Sequence, residues 1–189
     1  MLKSPRIRTL AIVTAIASAM GSSTMSAQNT SEAKYTVKVP GGLAFSEFKG
    51  YEAWQLISIS HGDDIMAATL GNPAMIRAYE AGFPGNGKPI PDGAKMAKIH
   101  WVPKKSQAAL GASVPSTLHD VDFMVKDSKR FKDSAGWGWG AFKYDTATHA
   151  FTPATTAEKP PQSNDAKCGL GCHTIVANRD YVFTDYQPR

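Results

Sequence analysis

Lys95–Val102 reads KMAKIHWV. Ala97, Ile99 and Trp101 fall on one side of an extended chain, and Met96, Lys98 and His100 fall on the other. That alternation predicts a strand with one apolar and one mixed face. The same period recurs in Val121–Lys126 (VDFMVK), where Val121, Phe123 and Val125 oppose Asp122 and Met124. Gly138–Tyr144 (GWGAFKY) is a third strand candidate, weakened by its glycines. Trp54–Ser60 (WQLISIS), rich in apolar and β-branched residues, is a fourth.

Between these runs the signals change. Asn72-Pro73 opens a helix, because proline suits the first helical position, and Met75, Ile76 and Tyr79 follow at helical spacing. The helix should end near Gly82. Phe83–Gly93 reads as a loop that closes in a turn at Pro91-Asp92-Gly93. Thr152–Asp165 reads as a Pro/Thr-rich connection, and a short helix should carry the two cysteines. The chain has 189 residues, 42% of them hydrophobic, enough for one domain with a core of ordinary size. The expected fold class is α+β, mainly antiparallel β-sheet with a few short helices, in a single domain.

The N-terminus stands apart from that core. Lys3, Arg6 and Arg8 precede an apolar run from Leu10 to Ala19, and small residues follow. This is a secretory signal pattern, too short to span a bilayer as a mature helix. Residues 1–27 are therefore assigned to a signal peptide and residues 28–189 to the domain; cleavage after Ala19 is the other option. Removal of the leader leaves eighteen basic residues against sixteen acidic ones, a net charge of +2. So small a charge gives no case for a nucleic-acid partner. No later segment is apolar for long enough to span a membrane. A soluble protein of the bacterial periplasm is expected.

Cys168–Tyr186 reads CGLGCHTIVANRDYVFTDY and holds both cysteines of the chain. Three chemistries compete for Cys168, Cys172 and His173. A disulfide suits an oxidising compartment, but its loop would be tiny and His173 would have no part in it. A zinc site would need a fourth ligand, and the other histidines, His61, His100, His119 and His149, read as isolated surface or structural residues. Covalent haem attachment uses all three groups: two thiols add to the vinyl groups and the following imidazole holds the iron. The usual spacing is C-x-x-C-H, whereas this chain has C-x-x-x-C-H. On a helix, residues four apart still share a face. Glycines at 169 and 171 would let the backbone lie close to a macrocycle.

The flanking residues add a resemblance. The C-terminal stretch, with its Asp180–Thr184 DYVFT segment, resembles the end of the cytochrome P-460 family. KDSKRF (Lys126–Phe131), PDGAKMAKIHW (Pro91–Trp101) and YEAWQLI (Tyr51–Ile57) resemble three further blocks of that family, in the same order. The resemblance implies secreted c-type cytochromes, mainly antiparallel β, usually dimeric, with one haem c per chain. It implies attachment through Cys168 and Cys172, His173 as the iron ligand, and an open opposite position where small nitrogen-oxide ligands bind. In hydroxylamine-oxidising members a strand lysine, here Lys98, also bonds to the haem. In the related cytochromes c′-β the pocket is apolar, that bond is missing and nitric oxide is bound.

Two further positions follow from the resemblance. Asp122 stands where oxidising members place a glutamate above the iron, one methylene shorter than that residue and so in need of reach. Ala67 stands where they carry an arginine. Met66, Met124 and Phe123 are expected to make the pocket apolar, and Trp137, Trp139 and Phe142 either wall the haem or form core. The expected function is oxidation of hydroxylamine, with Asp122 and Lys98 in the catalytic machinery and an unknown redox partner protein. The alternatives are nitric oxide binding without turnover, or simple electron transfer.

Overall fold

The computed structural model describes residues 32–37, 43–154 and 166–187. The expected signal peptide and residues 155–165 of the expected connection lie outside the described residues. Six strands form one antiparallel sheet in chain order: β1 (Gln55–His61), β2 (Met66–Gly71), β3 (Lys95–Lys105), β4 (Ser113–Lys126), β5 (Trp137–Asp145) and β6 (Ala150–Pro153). Helix α1 (Pro73–Glu80) follows β2, and α2 (Ala166–His173) follows β6. The architecture is the expected α+β, mainly antiparallel sheet.

The four anticipated strands are present, and the structure adds two. β2 (MAATLG) escapes a period-2 reading because it is at least half-buried along its whole length and made of small residues. β6 is a four-residue edge strand that ends in proline, and it takes the first residues of the segment expected to be connection. β4 starts well before Val121, because its polar first half pairs with β3 beyond the core.

Register assigns each side chain to a face. Thr69, Lys98, Asp122 and Ala141 form one row across β2–β5. Ala67, His100, Asp120 and Lys143 form the next, and Gly71, Met96, Met124 and Trp139 the one on the other side. The opposite face is an aromatic core. Phe123 stacks on Phe48 with centroids 4.1 Å apart and meets Phe45 edge-on at 5.3 Å. Each such pair adds about 0.5–1.5 kcal/mol beyond area burial. Gly138 belongs here: a Cβ on it would overlap the Phe131 ring, so the glycine that weakens the strand by propensity is required by packing.

Two elements cover the mixed face. Asn72 caps α1, its Oδ1 accepting from the Met75 N–H at 3.0 Å, an interaction of about 1 kcal/mol. The same oxygen accepts from the Lys95 N–H, which fixes the helix start to β3. Met75, Ile76 and Tyr79 are buried from α1. The helix ends at Glu80, and Gly82 takes a left-handed φ of 95°. Toward the other end of this face, α2 lies on β5. A Cβ at Gly169 would overlap the Trp139 indole, so the helix backbone rests directly on the ring.

Candidate cofactor site

Between the mixed face of the sheet, α2 and residues 182–184 lies a cleft of about 530 Å3. Lys98, Asp122, Cys172 and His173 all line it, with Met96, Met124, Trp139 and Phe183. A smaller cleft of about 440 Å3 beside α1 is lined by Ala74, Arg77, Phe83 and Lys88 and holds none of the candidate residues. Cys172 is a free thiol, exposed at the cleft. Cys168 is one turn earlier in α2, but its side chain lies outside the described residues.

The imidazole of His173 is held on three sides. Its Nδ1 donates to the Tyr181 carbonyl at 2.7 Å. Trp139 lies 5.3 Å from it, and Phe183 meets it edge-on at 4.9 Å. With the proton fixed on Nδ1, the Nε2 lone pair is free, which is how a metal-ligating histidine is prepared by its surroundings. Burial lowers the His173 pKa, and the Lys98 charge adds to that; the hydrogen bond to Tyr181 works in the other direction. The net direction favours the neutral, ligating form.

A buried ion pair sets where the Tyr181 carbonyl stands. Lys126 Nζ donates to Asp180 Oδ1 at 2.8 Å, with both side chains nearly buried, and also to the Ala135 carbonyl at 3.0 Å. Asp180 further accepts from Trp137 Nε1 at 3.3 Å and from the Ile90 N–H at 2.7 Å. Asp180 and Tyr181 both take left-handed φ, of 45° and 64°. The three partners of Asp180 hold this turn in place, and the turn presents the carbonyl to His173. Asp92 then ties the loop before β3 to the segment after Lys126, accepting from the Ser128 N–H at 2.8 Å and the Ser128 hydroxyl at 2.6 Å.

On the opposite wall two carboxylates stand two residues apart on β4. Burial pushes the Asp122 carboxyl up to about 6, and the Asp120 charge adds to this, against the pull of His100 and Lys98. Burial also pushes Asp120 upward, but hydrogen bonds and charge from His100 and His119 outweigh it and hold Asp120 below the usual carboxylate value. The environments therefore separate the pair, leaving Asp120 an anion and Asp122 the group that takes a proton near neutrality.

The remaining expectations divide. Met124 lines the cleft and Trp139 forms its wall. Met66 does not belong to it: its register partner is Trp101, on the other face. Phe123 touches the cleft wall, but its ring is buried in the aromatic core. Trp137 is core beneath Asp180, and Phe142 packs in the opposite core. Ala67 is buried opposite His100 and brings no charge to the cleft face. Gly169 provides a close approach, to Trp139, while a Cβ at Gly171 would meet nothing within 4 Å.

Four contributing residues were not singled out in the sequence. Tyr181 acts through its carbonyl and leaves no side-chain signature. Asp180 and Lys126 sit in blocks noted for resemblance, but their pairing across 54 positions had no local sign. Asp120 was within reach, since it lies two residues before Asp122 on the same strand face.

The residues fit a haem. The volume is in the range of about 300–1,000 Å3 typical of ligand clefts. The donor set of a thiol followed by an imidazole with free Nε2 suits c-type attachment and iron ligation. Among the described residues Trp139 Nε1 is buried without a partner, a polar atom that a ligand in the cleft would satisfy. No curated protein matches the chain. The family profile of Cytochrome P460 matches residues 48–184, from Phe48 of the aromatic core to Thr184 at the cleft. The chain belongs to the cytochrome P460 family, whose members bind haem.

Proposed function

We propose that the protein is an exported cytochrome with one haem c per chain, acting on small nitrogen compounds, with hydroxylamine oxidation as its activity. The observation that carries this reading is the meeting of His173, Lys98 and Asp122 in one cleft, with Asp122 raised to about 6. Haem bound there would supply a redox-active iron able to take the electrons of hydroxylamine and pass them to a one-electron acceptor protein. Cys168 and Cys172 would hold the porphyrin, and Lys98, which lines the cleft, would bond to it. His173 orients its Nε2 through the Tyr181 carbonyl. Asp122 accepts the protons that hydroxylamine loses, a role it can fill because its conjugate acid titrates near neutral pH. Trp139, Met96 and Met124 keep much of the cleft wall apolar and restrict water. Export implies removal of residues 1–27, and a homodimer is the expected assembly. Among the described residues no helix is long and apolar enough to cross a membrane.

A second reading has its own support. Buried Ala67 places no cation beside His100, so the cleft has less polarity than an arginine would give it. That favours nitric oxide binding without turnover. Hydroxylamine added with an electron acceptor separates the two. Acceptor reduction, together with a haem-bearing peptide that contains Lys98, supports oxidation; a c-type spectrum with no acceptor reduction supports binding. Asp122→Glu should raise turnover if reach limits the shorter carboxylate, and unchanged turnover would count against Asp122 as the base.

A further inference from the structure

Behind Asp122 lies a line of titratable groups that leads to open surface. His100 Nδ1 is 3.9 Å from Asp122 Oδ2 and hydrogen-bonds Asp120 Oδ1. Asp120 Oδ2 is 2.7 Å from His119 Nδ1. The Asp122 side chain is 48% exposed to the open cleft, and beyond it exposure rises outward, from 14% at His100 through 20% at Asp120 to 51% at His119. The pairing of β3 with β4 explains how His119 joins. Asp120 pairs with His100 and Leu118 with Trp101, so His119 is an extra residue with no partner in the ladder. In an unbroken strand it would point to the face away from Asp120. The bulge re-aims it, a use that bulges often have beside active sites. Asp120 is thereby bracketed, one imidazole on each oxygen.

We propose that Asp122, His100, Asp120 and His119 form a proton path from the cleft to solvent, with His100 as the transferring group. This rests on the reading of Asp122 as the base in hydroxylamine oxidation. The Nδ1 proton of His100 goes first to Asp120 Oδ1, and the lone pair that this leaves on Nδ1 then takes the proton held by Asp122, with the Nε2–H unchanged. The Asp120 carboxyl turns about its Cβ–Cγ bond to bring that proton to His119 Nδ1, and His119 releases one from Nε2 to water. One proton enters and one leaves; only O–H and N–H bonds change, and no electron moves. The 3.9 Å step closes by a tilt of the imidazole between the two carboxylates or through one water. The cluster could instead suggest a cation site, since ligand atoms of His100, Asp120 and Asp122 lie within 4.8 Å of one another. Its surroundings argue otherwise. Lys98 faces Asp122 from β3, and Lys143 faces Asp120 from β5. His173 and Cys172 line the cleft from α2, and Ala67 on β2 adds no charge. The Lys98 charge already acts on Asp122, and each oxygen of Asp120 already has an imidazole.

The test uses the haem-loaded protein and its His100→Gln variant, which can keep a hydrogen bond to Asp120 but cannot carry a proton. Turnover should fall roughly tenfold to a hundredfold, and imidazole added to the buffer should restore part of it. Hydroxylamine affinity, read by spectral titration, should stay the same. His119→Gln should show a smaller loss that buffer erases. Wild-type turnover in His100→Gln, independent of buffer, overturns the path. A second arm needs no turnover: nitrogen NMR of the imidazoles should show His100 and His119 titrating as a coupled pair, with Asp122→Asn moving His100 more than His119. Independent titrations, or tight Zn2+ binding that removes both signals, overturn the path. A wild type inert toward hydroxylamine would sink the enzymatic reading alone, and the NMR arm would then decide the path.

Discussion

On the helix side of the cleft, the groups that orient His173 each have a partner: Nδ1 on the Tyr181 carbonyl, and Asp180 on Lys126, Trp137 and the Ile90 amide. On the strand side, Asp122 and Asp120 repel each other and share two imidazoles, with the Lys98 charge beside Asp122. The first wall is fixed by a satisfied buried network and the second is held in electrostatic tension. A network of the first kind positions an atom. One of the second kind keeps a group ready to change protonation. On the proposed reading, the same cleft separates holding a cofactor from handling protons.

Single substitutions should break that division unevenly. Lys126→Met leaves the Asp180 carboxylate buried without its cation, which should cost about 3–5 kcal/mol of stability. Thermal unfolding would measure it, and the visible haem spectrum should change as the Tyr181 carbonyl is released. Asp122→Asn should act in the opposite manner, with turnover down about a hundredfold and the fold intact. The wild-type pH profile should match: the base form appears as pH rises through about 6, so turnover should climb there to a plateau. The sign for stability is the reverse. The folded-state value exceeds the unfolded 3.8, so ionising Asp122 costs stability as pH rises from about 4 through about 6. Asp122→Asn should therefore be no less stable than wild type at pH 7. Equal effects of the two substitutions on melting temperature would erase the distinction between the walls.

Smaller changes sharpen it. Gly169→Ala drives a methyl into Trp139, and overpacking of this kind costs about 1–3 kcal/mol. Gly171→Ala meets nothing within 4 Å and should stabilise α2 by about 0.5–1 kcal/mol. Parallel denaturant titrations of the two alanine variants would compare them directly. Destabilisation by both would mean that α2 does not rest on the indole through Gly169 alone.

The strands that alternate against a core were legible in the sequence, β3 and the second half of β4 above all, because burial of one face imposes the period. β2 was not, since a strand half-buried on both faces and built of small residues has no alternation to read. Lys98, Asp122, Cys172 and His173 could be named in advance because motif spacing and family blocks point to their positions. Asp180 and Lys126 carry no such mark. Their contribution exists only once residues far apart in the chain meet. His119 shows a related limit: period-2 reasoning aims it at the wrong face, and only the bulge in the ladder corrects this.

Intact mass together with the visible spectrum of the purified protein addresses the cofactor claim most directly. The expected sample is coloured, heavier than the processed polypeptide by one porphyrin, and yields a haem-bearing tryptic peptide with Cys168 and Cys172. A colourless sample with the bare polypeptide mass and its two sulfurs joined would contradict it.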